Sequence, residues 1–235
     1  MKLILPDYDF KFEDGSAEVK DGKLYIYKLN AFKDIMYRLT YMVYGSDECY
    51  FCHKKLRTNM LQLDNSKYFS KITLDHLTPQ DFGGPTITNN LRPACSECNS
   101  SKRNMYPDEF EEYKEFMKDT EKHTKEEKDE FKKNLELKKE QRRLGEIESI
   151  NEEWFSNVRV RDICVNFNIS EPLGVRYRKQ EKFFKNYKRL QKPLVISQNR
   201  FLLDGFISIL IGKYYFCDKN IKIIVLENVY FKGLY

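Results

Sequence analysis

Cys49-Tyr50-Phe51-Cys52 and Cys95-Ser96-Glu97-Cys98-Asn99 decide how this chain is read. Each holds a Cys-x-x-Cys pair, close enough to place two thiolates on one metal ion, and two pairs complete a closed tetrahedral site. Zinc suits four soft thiolates and needs no redox chemistry, so Cys49, Cys52, Cys95 and Cys98 are assigned to a structural zinc. The alternative is four ordinary buried or disulfide-bonded cysteines, but two pairs at this spacing rarely arise by accident. Cys49 to His53 also fits the haem-attachment pattern Cys-x-x-Cys-His. Haem leaves the second pair unexplained, and no export signal is read ahead of it.

Four thiolates close a zinc site, so the chemistry is expected in the polar residues that the zinc holds in place. Between the pairs stand Thr73-Leu74-Asp75-His76-Leu77-Thr78-Pro79, Gly83-Gly84-Pro85 and Asn89-Asn90-Leu91-Arg92-Pro93, and Asn99-Ser100-Ser101-Lys102 follows the last cysteine. In order, spacing and chemistry this set resembles the HNH (ββα-metal) nuclease family, in the branch with two zinc-binding Cys-x-x-Cys pairs. The resemblance covers residues 45–106. It implies a strand-turn-strand after residue 70 carrying Asp75 and His76, and a helix beginning near Cys95 or Asn99 that brings Asn99 to the same ion. It further implies that Asn90 is the family's central asparagine, bracing the loop and orienting the base. The family usually leaves a 5′-phosphate and a 3′-hydroxyl, using one Mg²⁺-like ion.

Elementary chemistry gives these roles a reason. Hydrolysing a phosphodiester needs an activated water, a counter-charge for the transition state and help for the departing alkoxide. A neutral imidazole is the natural base, which assigns that task to His76. A hard divalent cation, Mg²⁺ or Mn²⁺, takes oxygen ligands, which Asp75 and Asn99 offer as a carboxylate and an amide carbonyl. Neighbouring side chains on an extended segment point to opposite faces, so Asp75 and His76 are free to take different tasks. Lys102 and Arg103 are candidates for the DNA backbone, with solvated surface charge as the plain alternative. His53 is placed beside the zinc.

The 235-residue chain is long enough for two domains. The expected fold class is α+β: a small zinc-stabilised ββα-metal nuclease domain within residues 1–106, a charged helical connector over 107–153, and a basic α/β domain over 154–235. Formal charge is uneven across these segments at +2, −6 and +9, so phosphate attraction is expected at the C-terminal end. Cys164 and Cys217 are too few for a secreted disulfide framework, and no apolar run approaches a membrane span. The expectation is a soluble, intracellular, cytoplasmic protein with double-stranded DNA as partner and no membrane.

Within the first segment, Lys23 to Tyr27 reads as a strand after an Asp21-Gly22 turn. Phe32, Ile35, Met36, Leu39, Met42 and Val43 then share one helical face, with Asn30 as N-cap and Gly45 as terminator. Pro107 with Asp108 and Glu109 opens a long helical region, with apolar positions thinning through Phe131, Leu135, Leu144, Ile147 and Ile150. Val158 to Val165 reads as a strand. A basic amphipathic segment follows, holding Arg176, Arg178 and Lys179, the other DNA-contact candidates. Two strands then flank a Gln198-Asn199 turn, a helix spans Phe206 to Tyr215, and a strand spans Ile221 to Leu226. This order is similar to the ParB/sulfiredoxin-like fold, on Pro193-Leu194-Val195 and Leu203-Asp204-Gly205, over residues 157–230. Active members of that family place an arginine where Ser208 stands here, which speaks against a nucleotide-binding role. The sequence therefore points first to a metal-dependent DNA endonuclease. The alternatives are a non-catalytic zinc module that binds nucleic acid and a nucleotide-binding ParB-like regulator.

Overall fold

The computed structural model describes residues 1–45, 47–57, 70–144, 152–165, 174–216 and 220–233; Ile147, Ile150 and Cys217 lie outside the described residues. The chain is mixed α+β, as its sequence pattern predicts. Strand β1 (Phe10–Lys11) pairs with β2 (Ala17–Lys20), which forms an antiparallel hairpin with β3 (Lys23–Ile26). The hairpin closes on Asp21 and Gly22, both with positive φ, as a two-residue turn between right-twisted strands requires. Alternation does the rest: Ala17, Val19, Leu24 and Ile26 face inward, while Tyr25 stays at the surface.

Helix α1 (Phe32–Tyr44) buries Phe32, Ile35, Met36 and Leu39, the i, i+3, i+4, i+7 stripe read from the sequence. Its start differs from expectation. A 3₁₀ turn over Leu29–Ala31 precedes it, and Ala31 rather than Asn30 holds the N-cap position, because the turn tucks Leu29 against the core. Gly45, at φ 73°, stops the helix. The apolar stripe of α1 packs on Ile87 and Leu91 as well as on the first sheet, so this helix fastens the segment that carries the cysteines to the N-terminal layer.

In the cysteine-bearing segment β4 (Leu56–Arg57) lies parallel to β5 (Ser70–His76), and β5 runs antiparallel to β6 (Leu91–Cys95). Helix α2 (Ser96–Lys102) follows β6 directly, giving the strand-turn-strand-helix order that the resemblance implies. Helix α3 (Pro107–Lys118) starts at Pro107, with the Glu109 carboxylate accepting the Tyr106 N–H in a capping box.

Helix α4 (Lys125–Leu144) folds back on α3. Phe116 stacks on both His123 and Phe131, and Lys138 reaches Glu112. Residues 107–144 therefore form a helical hairpin packed on the segment that carries the cysteines. The buried Arg142–Glu109 pair, 3.0 Å apart, and the guanidinium of Arg142 over the Tyr106 ring hold it there.

The C-terminal part begins with β7 (Phe155–Arg159). The strand is shorter than Val158 to Val165 and shifted, since a 3₁₀ turn over Val160–Asp162 lets both Val160 and Ile163 face the core. Helix α5 (Val175–Tyr187) carries the basic segment. After it come β8 (Val195–Ser197), β9 (Leu202–Asp204), α6 (Phe206–Phe216), β10 (Asn220–Leu226) and β11 (Val229–Phe231). One sheet has the order β7-β10-β8-β9. Strand β11 leaves that sheet and lies parallel to β3, completing the order β1-β2-β3-β11. The two ends of the chain thus share one sheet, and Val195, Leu203, Ile224, Leu226, Val229 and Phe231 share a core with α1. The amino terminus is tied down beside them, donating to Val225 O and pairing with Glu227. Among the described residues no helix is long and apolar enough to cross a membrane.

Candidate active site and metal centre

Cys49 and Cys52 lie on the loop before β4, Cys95 ends β6 and Cys98 sits in α2. Their four sulfurs all lie within 4.8 Å of one another. A zinc ion with Zn–S bonds of about 2.3 Å keeps its sulfurs about 3.8 Å apart, and Cys52 Sγ and Cys95 Sγ are 3.8 Å apart. Cys95 also caps α2, its sulfur accepting the Cys98 N–H at 3.3 Å. Phe51, Leu56, Ala94, Met105 and Phe110 pack around the cluster. Burial pushes the Cys95 thiol up to about 12 and raises Cys98 as well. At Cys49 burial is outweighed by backbone N–H groups aimed at the sulfur, and its pKa falls. Four thiolates this close repel one another, so a cation is what lets them ionise together. The donor set and its spacing fit a tetrahedral metal ion. His53 is exposed, in the left-handed conformation at φ 56°, where its N–H closes the Cys49 turn.

The polar residues gather at the end of β5. Register pairs Asp75 with Arg92 and His76 with Leu91, so the two side chains leave opposite faces of the hairpin. His76 Nε2 lies 3.1 Å from Thr86 Oγ1 and 3.1 Å from the Gln80 amide, and Gln80 also donates to Thr86. Burial, and then the positive charges of Lys102, Lys192 and Lys33, lower the imidazole pKa to about 4, so the ring is neutral at neutral pH.

Asn90 is fully buried and braces the loop that carries Gln80 and Thr86. Its Oδ1 accepts the Thr78 N–H at 2.8 Å, and its Nδ2 donates to Thr78 O and Pro85 O. Gly84 closes the same knot, since a Cβ there would sit 1.8 Å from Thr78 O.

On the opposite face, Asp75 is buried and its Oδ2 lies 2.9 Å from Lys102 Nζ. Burial raises the Asp75 pKa and lowers that of Lys102, while their attraction opposes both shifts. Lys102 also donates to His76 O at 2.8 Å. This corrects the DNA-contact assignment of Lys102: its ammonium is fully buried, directed inward by the last turn of α2, and does not face solvent. Asn99 sits one turn earlier and donates through Nδ2 to Thr73 Oγ1 and Leu74 O, which hangs it on β5 just before Asp75. Both of these bonds are made by Asn99 Nδ2 and neither by its Oδ1. Asp75 Oδ2 has the ionic contact but no hydrogen bond of good geometry. These are hard oxygen donors of the kind a divalent cation takes.

Arg103 is exposed at the end of α2. Arg176, Arg178 and Lys179 are exposed on α5, where Arg176 and Lys179 share one side three residues apart and Arg178 does not. Sequence reasoning missed Gln80, Thr86, Lys33 and Lys192. Gln80 stands four residues after His76, and Thr86 directly follows Gly-Gly-Pro, so both lie within the motif. Lys33 and Lys192 come from distant segments with no local signal.

No curated protein and no solved structure matches the chain. The ParB/sulfiredoxin-like resemblance of residues 157–230 is supported by none of the comparisons, and in the fold the Ser208 hydroxyl is turned inward onto Lys192 O. One family model matches, over residues 49–115, which holds the whole cysteine cluster together with Asp75, His76, Asn90 and Asn99. The matched model is that of the HNH endonuclease, and residues 49–115 are similar to it.

Proposed function

We propose that the chain is a divalent-metal-dependent DNA endonuclease whose general base is His76. The observation that carries this reading is the placement of the imidazole. It is half-buried and anchored through Nε2 at the end of β5, inside the matched family segment, where burial lowers its pKa to about 4. The tautomer protonated on Nε2, with that N–H donated to Thr86, would leave the Nδ1 lone pair free for the reaction. His76 takes a proton from the attacking water, a bond forms from that oxygen to phosphorus, and the bond to the 3′-oxygen breaks, the departing oxygen taking a proton from solvent. The products are a 5′-phosphate and a 3′-hydroxyl.

Asp75 and Asn99 would hold Mg²⁺ or Mn²⁺, which when bound supplies charge stabilisation for the phosphorane-like transition state and the leaving oxygen. Asn90 and Gly84 keep the loop bearing Thr86 and Gln80 in register, and so orient the base. Lys102 holds the Asp75 carboxylate and the His76 carbonyl together, fixing the strand end on which both faces depend. Cys49, Cys52, Cys95 and Cys98 would carry a structural zinc, tying the loop before β4 to the start of α2.

A second reading rests on the same Asp75–Lys102 pair. The carboxylate already has a buried counter-ion, as suits a zinc-stabilised module that binds nucleic acid without cutting it. Incubation of duplex DNA with the zinc-loaded chain and Mg²⁺ or Mn²⁺, followed by end-group analysis, separates the two. The nuclease reading predicts fragments with 5′-phosphate and 3′-hydroxyl ends. DNA that is bound but intact contradicts it and supports the second reading.

A further inference from the structure

A groove of about 530 Å³ opens beside His76, between α1, the Gln80 turn, the first half of α5 and the start of α6. Lys33, Arg176, Lys179 and Lys192 line it, against the two carboxylates Asp81 and Asp204. Neither carboxylate is idle. Asp81 accepts a hydrogen bond from Asn104, and Asp204 accepts the Gly205 N–H and lies 4.0 Å from Lys33. The groove therefore carries a net positive charge. The lining includes Gln80, whose amide is 3.1 Å from His76 Nε2, so one side chain separates the groove from the base. Its volume lies in the range that accepts a molecular ligand rather than a bare ion.

We propose that this groove is a subsite for the phosphates of the nucleic-acid strand adjoining the one cleaved at His76. The inference rests on the nuclease reading and extends it. The C-terminal part of the chain forms a wall of the active-site cleft, and α1 supplies the opposite cation. Four cations against two acids leave an excess of positive charge, which a chain of phosphates offsets at several points. The effect is already felt within the protein: burial, and then Lys33 and Arg176 nearby, lower the pKa of Lys192, with Asp204 and Asp81 opposing. The first turn of α6 lies at the floor and adds the positive end of a helix dipole. Arg178 lies outside the lining and is not part of the subsite.

The test is the affinity of the full chain for a duplex oligonucleotide over a series of salt concentrations, in a His76→Ala background that keeps the DNA intact. Each phosphate neutralised by a cation contributes about 0.9 to the slope of log affinity against log salt. Lys33→Gln/Lys192→Gln is expected to lower that slope by about 1.8, because two phosphates then keep their counterions. Arg176→Gln/Lys179→Gln, at two exposed positions where folding is not in question, is expected to lower it in the same way. Lys11→Gln/Lys20→Gln, at exposed positions on β1 and β2, leaves it unchanged. An unchanged slope in both groove variants overturns the proposal.

Cleavage by the same groove variants with His76 restored keeps this separate from the nuclease reading. The subsite predicts a raised KM with kcat little changed. If the wild type cuts DNA and the groove variants bind as tightly as it does, the subsite fails and the nuclease stands. If the wild type cuts nothing while the groove variants lose binding, the nuclease fails and the subsite stands as a nucleic-acid site.

Discussion

The segment around the cysteines and the layer formed by the two chain ends are held together by different means. In the first, order comes from polar groups. Four sulfurs converge, Asn90 stitches a loop through three hydrogen bonds, and a buried lysine faces a buried aspartate. In the second, order comes from apolar burial, with α1 packed on strands from residues 17–26 and 195–231. The polar segment spends its side chains on fixing a few atoms. The apolar layer supplies the rigid body on which that small segment rests, and α1 joins the two through Ile87 and Leu91. A single substitution should therefore do far more damage in the first region than a chemically equal one in the second.

The largest contrast lies at the cysteines. Cys95→Ser removes a ligand and is expected to abolish stoichiometric zinc binding and unfold the segment, because binding of a structural zinc is folding free energy of about 10 kcal/mol or more. Cys164→Ser, at an exposed position in the C-terminal part, should shift stability by no more than about 0.5 kcal/mol. Metal analysis and thermal denaturation of the two variants check this. Equal zinc content in both would break the comparison.

Next come the lysines. Lys102→Met strands Asp75 as an unpaired buried charge and should cost about 3–5 kcal/mol, whereas Lys213→Met on the exposed surface of α6 should cost about 0.5 kcal/mol or less. Denaturant titration distinguishes them, and a mild effect at position 102 would mean that the ammonium is not locked in. The asparagines sharpen the picture further. Asn90→Ala strands Thr78 and Pro85 backbone groups in a buried loop, at about 1–3 kcal/mol for each polar group left unmet. Asn199→Ala removes comparable bonds to Phe231 near the surface, where water replaces them, and should cost about 1 kcal/mol. Hydrogen exchange at the Thr78 and Phe231 amides reports each loss locally.

The same contrast explains what could be read from the sequence. The convergence of Cys49, Cys52, Cys95 and Cys98 was legible because two Cys-x-x-Cys pairs fix both residue type and spacing. The Asp21-Gly22 turn and the α1 stripe were legible because each is a local rule. Lys102 was misread because a lysine at a helix end normally points to water; its burial follows from α2 docking on β5, which only the assembled hairpin shows. Lys33 and Lys192 lie 159 residues apart and meet beside Gln80 only because β11 returns to β3 and draws the C-terminal layer against α1. No local pattern encodes that encounter. The hairpin of α3 and α4 was half legible: its helices follow from Pro107 and the apolar spacing, but its return onto the core depends on the Arg142–Glu109 pair.

The central claim is that His76 performs general-base hydrolysis of DNA in this segment, and cleavage of supercoiled plasmid in Mg²⁺ or Mn²⁺ tests it most directly. Zinc-loaded wild type should nick or linearise the plasmid. His76→Ala, equally folded and equally charged with zinc, should be slower by about 10²–10⁴-fold, the usual contribution of a positioned base. Cleavage by His76→Ala at the wild-type rate would contradict the account.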